Sequence, residues 1–277
     1  NRTQTPRIEL VDCGPVKATL KISRKYNNTA IDQFITVYNG FERVDFAIDI
    51  DWQERGYYKE SVPFLRVGFT TALETPVYTY ETPMGWIDRD QQGVDLPSLR
   101  FVNLYENGRG VSLYNDCKFG FSVEGGSVYM ALVRGSYSPD AMPDCGLTSA
   151  KYAIRPYSGE KDMPGVVRGA AAFNQPLLAV WGEFDAGSSG KTGGLIHVSE
   201  PNVVVTAVKP SADNEGIIVR LVEYAGIDTN VTVTLDGEYT SIMEVDLKED
   251  PRRLLETDSN SVNITIRPFE NVTLLFK

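Results

Sequence analysis

Amide, carboxylate, thiol and ammonium stand side by side at Asn115, Asp116, Cys117 and Lys118, directly after the alternating apolar residues Val111 and Leu113. A packed strand does not carry four such groups in succession. The run is therefore either the end of a strand, where Asn115 and Asp116 fold a turn through their own side chains, or a surface that meets a polar ligand. A second dense stretch, YETPMGWIDR, runs from Tyr80 to Arg89 and sets Tyr80 and Trp86 beside Glu81, Asp88 and Arg89. Aromatic faces next to charged tips suit the C–H surfaces and hydroxyls of a sugar. A plain β-turn with a tryptophan packed on a sheet accounts for the same residues. Asp45, Asp49 and Asp51 invite a calcium reading, but nothing nearby supplies the further oxygens calcium needs. They read as the solvated face of a strand.

Other chemistries find little support. The 277-residue chain holds a single histidine, His197, which cannot build a two-histidine metal site and has no Gly-x-Ser-x-Gly elbow to serve. Its 37 Asp and Glu residues allow a paired-carboxylate glycosidase without singling out a pair. A net charge of -10 disfavours nucleic acid and anionic membranes as partners. No apolar run approaches the roughly 18 residues of a spanning helix, and the start has no signal-peptide core, so the chain is expected to be soluble, with its compartment open. Its beginning reads as a cut into a longer protein. The three cysteines (Cys13, Cys117, Cys145) match no zinc or redox spacing and read as free thiols. Five Asn-x-Thr sequons, at Asn1, Asn27, Asn230, Asn263 and Asn271, also arise simply from threonine-rich strands.

The elements that would position these groups are strands from end to end. Ile8–Val11 and Val16–Ile22 form a hairpin about Cys13-Gly14-Pro15, and Val44–Trp52 alternates an apolar with an acidic face. No stretch shows amphipathic helix periodicity over three turns. Residues 1–165 are expected to form a large antiparallel β domain and 195–277 a smaller sandwich. Between them 166–194 is a crossover ending in a flexible linker, whose glycines fit no phosphate-loop pattern.

The run Leu113–Gly159 resembles the C-terminal region of glycoside hydrolase family 38, the zinc-dependent α-mannosidases. The matching strings are Asn115–Gly120, Leu132–Arg134, Pro139-Asp140, Asp144–Gly146 and Tyr152–Pro156, in that order. Asn202–Lys209 and the closing Arg-Pro-Phe-Glu resemble the family's terminal β-domain, and Asp51–Arg55 resembles an Asp-Trp-His-Glu-Arg run with Gln53 in place of histidine. The resemblance implies an all-β, galactose mutarotase-like supersandwich followed by a small sandwich. It implies that zinc and the nucleophilic aspartate belong to an N-terminal barrel missing here, so this chain holds no catalytic residue, metal or other cofactor of its own. Its partners would be that barrel and a mannose-containing glycan, met along a cleft wall of Tyr80, Asp116 and Lys118, with Asn115, Trp86 and Arg89 less closely implied. The family's sheet is similar to that of sugar mutarotases, but one histidine does not support their acid–base chemistry. A different class stays open: a free-standing carbohydrate-binding or scaffold module using Trp86 with Tyr78 or Tyr80 as an exposed platform.

Overall fold

A computed structural model describes residues 5–57, 62–140, 144–180, 182 and 193–277. Its contacts divide the chain into Asn1–Asp162 with Gly169–Gln175, and Met163–Arg168 with Pro176–Lys277. The glycine- and serine-rich stretch read as a linker lies outside the described residues except at Gly182, Gly193 and Gly194. Among the described residues no helix is long and apolar enough to cross a membrane.

The first unit is built on a nine-stranded antiparallel sheet. Its order across the sheet is Arg7–Cys13, Lys17–Tyr26, Thr29–Tyr38, Val44–Trp52, Gly146–Ser158, Arg109–Asn115, Phe101–Glu106, Val77–Thr82 and Gly85–Arg89. Tight turns set the register: Asn107 and Gly108 both take positive φ, as a two-residue hairpin turn requires, and Asn27 turns the second hairpin. A four-stranded sheet, ordered Phe64–Thr70, Ser127–Arg134, Gly120–Glu124 and Leu96–Pro97, covers part of one face. Alternation along Val44–Trp52 sends Ile48, Ile50 and Trp52 into this core while Asp49 meets water. The Phe46 and Tyr152 rings stack at 5.0 Å, and Phe69 of the covering sheet closes on Phe46 at 5.3 Å.

The structure corrects the expectation of no helix. Met163–Asn174 is a 12-residue helix. Its Pro164, Gly165, Val166, Val167 and Gly169 are weak helix formers, which hid it in the sequence. Small size at Gly169 has a use: a Cβ there would lie 2.5 Å from the Tyr114 hydroxyl oxygen. Asn174 Nδ2 ties the helix end to the sheet through Asn115 O at 3.0 Å, and the Arg43 guanidinium lies 5.2 Å from the Phe173 ring centre.

The second unit packs two sheets, Ile196–Val198, Thr229–Leu235, Ser261–Ile266 and Thr257–Asp258 against Val203–Pro210, Ile217–Glu223, Asn271–Phe276, Ile242–Val245 and Pro251–Leu254, each in spatial order. Val219, Leu221, Val233, Leu235, Ile242 and Phe276 fill the interior. Two sequons face each other across neighbouring strands, Thr265 donating to Asn230 Oδ1 at 2.7 Å and Thr232 to Asn263 Oδ1 at 2.5 Å. Glu223 is fully buried, its carboxylate accepting from the backbone N–H groups of Ala225, Gly226, Ile227 and Phe269 and from Asn202 Nδ2. One side chain thereby fixes two loops. Glu223→Ala is expected to leave those amides without partners and to cost about 3 kcal/mol or more, measured by urea unfolding.

Candidate functional site

The two singled-out stretches meet at the loop 97–100, which is held by polar groups with almost no exposure. Glu81 projects from Val77–Thr82 into the protein and is 3% exposed. Its carboxylate accepts from Arg100 N at 2.6 Å and Arg100 Nε at 2.9 Å, and pairs with the same guanidinium through Nη2. Ser98 Oγ accepts from Glu81 N at 2.9 Å and donates to Phe101 O at 2.5 Å. Arg89 Nη1 donates to Pro97 O at 3.1 Å.

Asn115 completes the stitching. Its Nδ2 donates to Leu99 O at 2.6 Å, its backbone N–H to Arg100 O at 2.9 Å, and its Oδ1 accepts from Lys118 N at 2.7 Å. The last bond is the side-chain turn offered as the plainer reading of this run. Asn115 is buried with both ends of its amide in use, so it shapes the site rather than meeting a ligand. Asp116 is exposed but anchored, its Oδ1 accepting from Lys151 N at 3.0 Å. Partial burial, reinforced by the Asp116 carboxylate, pushes the Cys117 thiol up to about 11, so it is no thiolate nucleophile at neutral pH.

The turn delivers Lys118 to a groove of about 780 Å³, shared with Phe64, Arg66, Asp95, Arg134 and Asp144. Arg66 lies 4.2 Å from the Phe64 ring centre, pairs with Asp95 at 2.9 Å and donates to Ser122 Oγ at 3.3 Å. Lys118 and Arg134 have no side-chain partner among the described residues. Free cations, flanking carboxylates and an aromatic ring can bind a polyol through its hydroxyl oxygens. Arg66, Asp95 and Phe64 escaped the sequence analysis because they come from a distant strand and a polar loop. Arg134 was visible only as part of a matched string.

Tyr80 is elsewhere, and the expectation of an accessible cleft residue is corrected. It alternates with Glu81 and so points into the sandwich core, fully buried, with no hydrogen-bond partner for its hydroxyl among the described residues and the Arg89 guanidinium 5.0 Å from the ring centre. Trp86 takes the opposite face of its hairpin, half-buried, with Lys161 Nζ 4.8 Å from its ring centre and that lysine paired to Asp88 at 2.8 Å. Tyr78 is also buried and donates to Gly125 O. The platform of Trp86 with Tyr78 or Tyr80 is therefore not assembled. The large exposed side chains on the elements bonded to the loop 97–100 are instead apolar: Met84, Ile87, Leu99 and Phe119.

A zinc site of two histidines and two aspartates does not fit these residues. His197 is exposed in a strand opposite Thr234, and no group of three or more His, Cys, Asp or Glu among the described residues could hold a metal ion. On the acidic strand, Arg43 engages both oxygens of Asp45 and Gln53 binds Asp51.

These sheets define an all-β chain of two successive sandwiches. Residues 1–142 match the glycosyl hydrolases family 38 C-terminal domain, and residues 202–274 the family 38 C-terminal beta sandwich domain. The chain belongs to glycosyl hydrolase family 38, as its C-terminal region. It is 28% identical over 261 residues to human alpha-mannosidase 2C1, covering 90% of this chain and 24% of that protein. It is 26% identical over 287 residues to alpha-mannosidase G of Dictyostelium discoideum, covering 97% and 26%. The chain thus spans about a quarter of the length of these curated relatives. The crystal structure of an alpha-mannosidase from Enterococcus faecalis V583 shares the fold over 99% of this chain and 35% of its own, with a TM-score of 0.81 at 18% identity.

Burial pushes the hydroxyls of Tyr80, Tyr152 and Tyr157 up to about 12. The fold requires the neutral phenol, so this stabilisation is complete below the ordinary tyrosine value near pH 10 and is lost as pH rises through about 12. Phenolate absorbance is expected to show these rings titrating only with alkaline unfolding. Tyr80→Phe removes a hydroxyl that is buried without a partner, and is expected to raise stability by about 1 kcal/mol in urea unfolding.

Proposed function

We propose that this chain is the C-terminal β portion of an α-mannosidase that hydrolyses α-mannosidic bonds with retention. In this reading zinc and the catalytic carboxylates reside in an N-terminal barrel, and this portion supports the barrel and supplies the edge of the carbohydrate cleft. The observation that carries the reading is the groove containing Lys118 and Arg134 beside a set of exposed apolar side chains. Two cations free of side-chain partners suit sugar oxygens. Met84, Ile87, Leu99 and Phe119 suit a protein neighbour, since large apolar areas are seldom left in water. The relatives' names support the substrate class. Among the candidate residues, Lys118 and Asp116 remain at the surface, whereas Asn115 and Arg89, together with Glu81, hold the loop 97–100.

The test uses the full-length polypeptide. Lys118→Ala and Arg134→Ala each remove a charge-assisted hydrogen bond to substrate, about 1.5–3 kcal/mol. The expected result is a fall of about 10- to 100-fold in kcat/KM on an aryl α-mannoside with an unchanged melting temperature. Loss of melting temperature in step with activity would remove the site assignment. Turnover of the same substrate by residues 1–277 alone would refute the division of labour.

A further inference from the structure

The nine-stranded sheet is wider than its cover. The covering sheet's outermost strand, Phe64–Thr70, meets the large sheet where Phe69 contacts Phe46 and Tyr152. Thr29–Tyr38, Lys17–Tyr26 and Arg7–Cys13 continue past that point. The register sorts their side chains onto two faces. Leu10, Leu20, Ile35 and Phe46 are successive partners across the sheet, as are Ile8 and Ile22, while Cys13, Ala18 and Val37 form a third row. All lie on the Phe46 face, because the register shift after Leu10 restores Cys13 to it.

Ile8 is 60% exposed, Leu10 61%, Val37 47% and Leu20 40%. The opposite face of the same strands is mostly polar, with Lys21–Asp32 paired at 2.8 Å, Lys17–Asp12 at 3.0 Å, a Thr19–Thr36 hydroxyl contact at 2.9 Å, and Phe34 with the Lys21 ammonium 5.5 Å from its ring centre. An antiparallel sheet with one polar and one apolar face is built to bury the second. Here the apolar face runs to Arg7–Cys13, the edge strand of the sheet among the described residues.

We infer that this uncovered face, centred on Leu10 and Leu20, is a docking surface for the N-terminal part of the same polypeptide, through an apolar surface that continues the core beyond Phe64–Thr70. The inference rests on the reading of this chain as the C-terminal portion of a longer enzyme. The aligned regions account for only 24% and 26% of the relatives, and the matched models are C-terminal ones, so most of a relative's length precedes this face. A covalently linked segment meets the face at an effective concentration no separate partner reaches.

Cys13 provides the probe, since its exposed thiol lies on this face. Maleimide labelling of native full-length polypeptide is compared with that of residues 1–277, using peptide mass spectrometry to separate Cys13 from Cys117. The expected result is Cys13 labelling slowed about tenfold or more in the full-length protein, independently of protein concentration, with both forms equal in urea. Leu10→Asp with Leu20→Asp in the full-length protein should restore fast labelling. Equal rates for Cys13 in the two native forms would overturn the inference, and so would slowing that grows with protein concentration, which marks a second copy. Neither result touches the activity test of Lys118 and Arg134, so the two readings fail separately.

Discussion

A carboxylate with almost no access to water, Glu81, fixes the position of everything around the candidate site. A loop that crosses the end of a sandwich exposes backbone donors and acceptors that must be satisfied somewhere. Here Glu81 receives both the backbone and the guanidinium of Arg100, Ser98 bridges Glu81 N and Phe101 O, and Asn115 takes Leu99 O. Each bond alone is modest, but these groups have little water to fall back on, so losing one member leaves another unpaired at greater cost. The chain carries ten excess negative charges, yet this carboxylate is tolerated inside because a cation and an amide surround it. Glu223 solves the same problem in the second unit with backbone amides in place of an arginine.

Such stitching gives the surface above it a defined geometry. Lys118 follows a turn whose backbone is bonded to Asn115, and Asp116 is clamped to Lys151 on the neighbouring strand. The lysine therefore emerges from fixed backbone although its own stem is flexible. A ligand met from such a base would order fewer degrees of freedom than one met from a free loop.

The sequence was informative wherever a local rule governed the outcome. Val44–Trp52 could be read as a two-faced strand because its alternation is strict, and Asn115 as a turn former because its side chain bonds only a few residues away. Tyr80 shows what is lost when a residue is placed by a short motif match. The resemblance set it on a cleft wall, while its alternation with Thr79 and Glu81 gives two faces without saying which is inside. In the fold Glu81 is also buried, so neither face of that strand is a water face. The groove could not be read at all, because Arg66, Asp95, Lys118 and Arg134 converge only through the pairing of separate strands. The helix Met163–Asn174 was hidden by the residues that let it approach the sheet closely, above all Gly169 against Tyr114.

The two faces of the first three strands carry the same lesson in reverse. Their apolar rows were legible as half of an alternating pattern, and periodicity implies that such a row meets a core. The register shows that no core of the described residues reaches it, because the second sheet has four strands where the first has nine. Solvation of these side chains would forgo about 25 cal/mol for every square ångström left in water, while the ion-paired reverse face shows that polar residues are accommodated in the same strands. A sheet that gathers most of the aliphatic residues of its uncovered strands on one side is suited to a two-layer arrangement. The second layer over these strands is not supplied by the described residues.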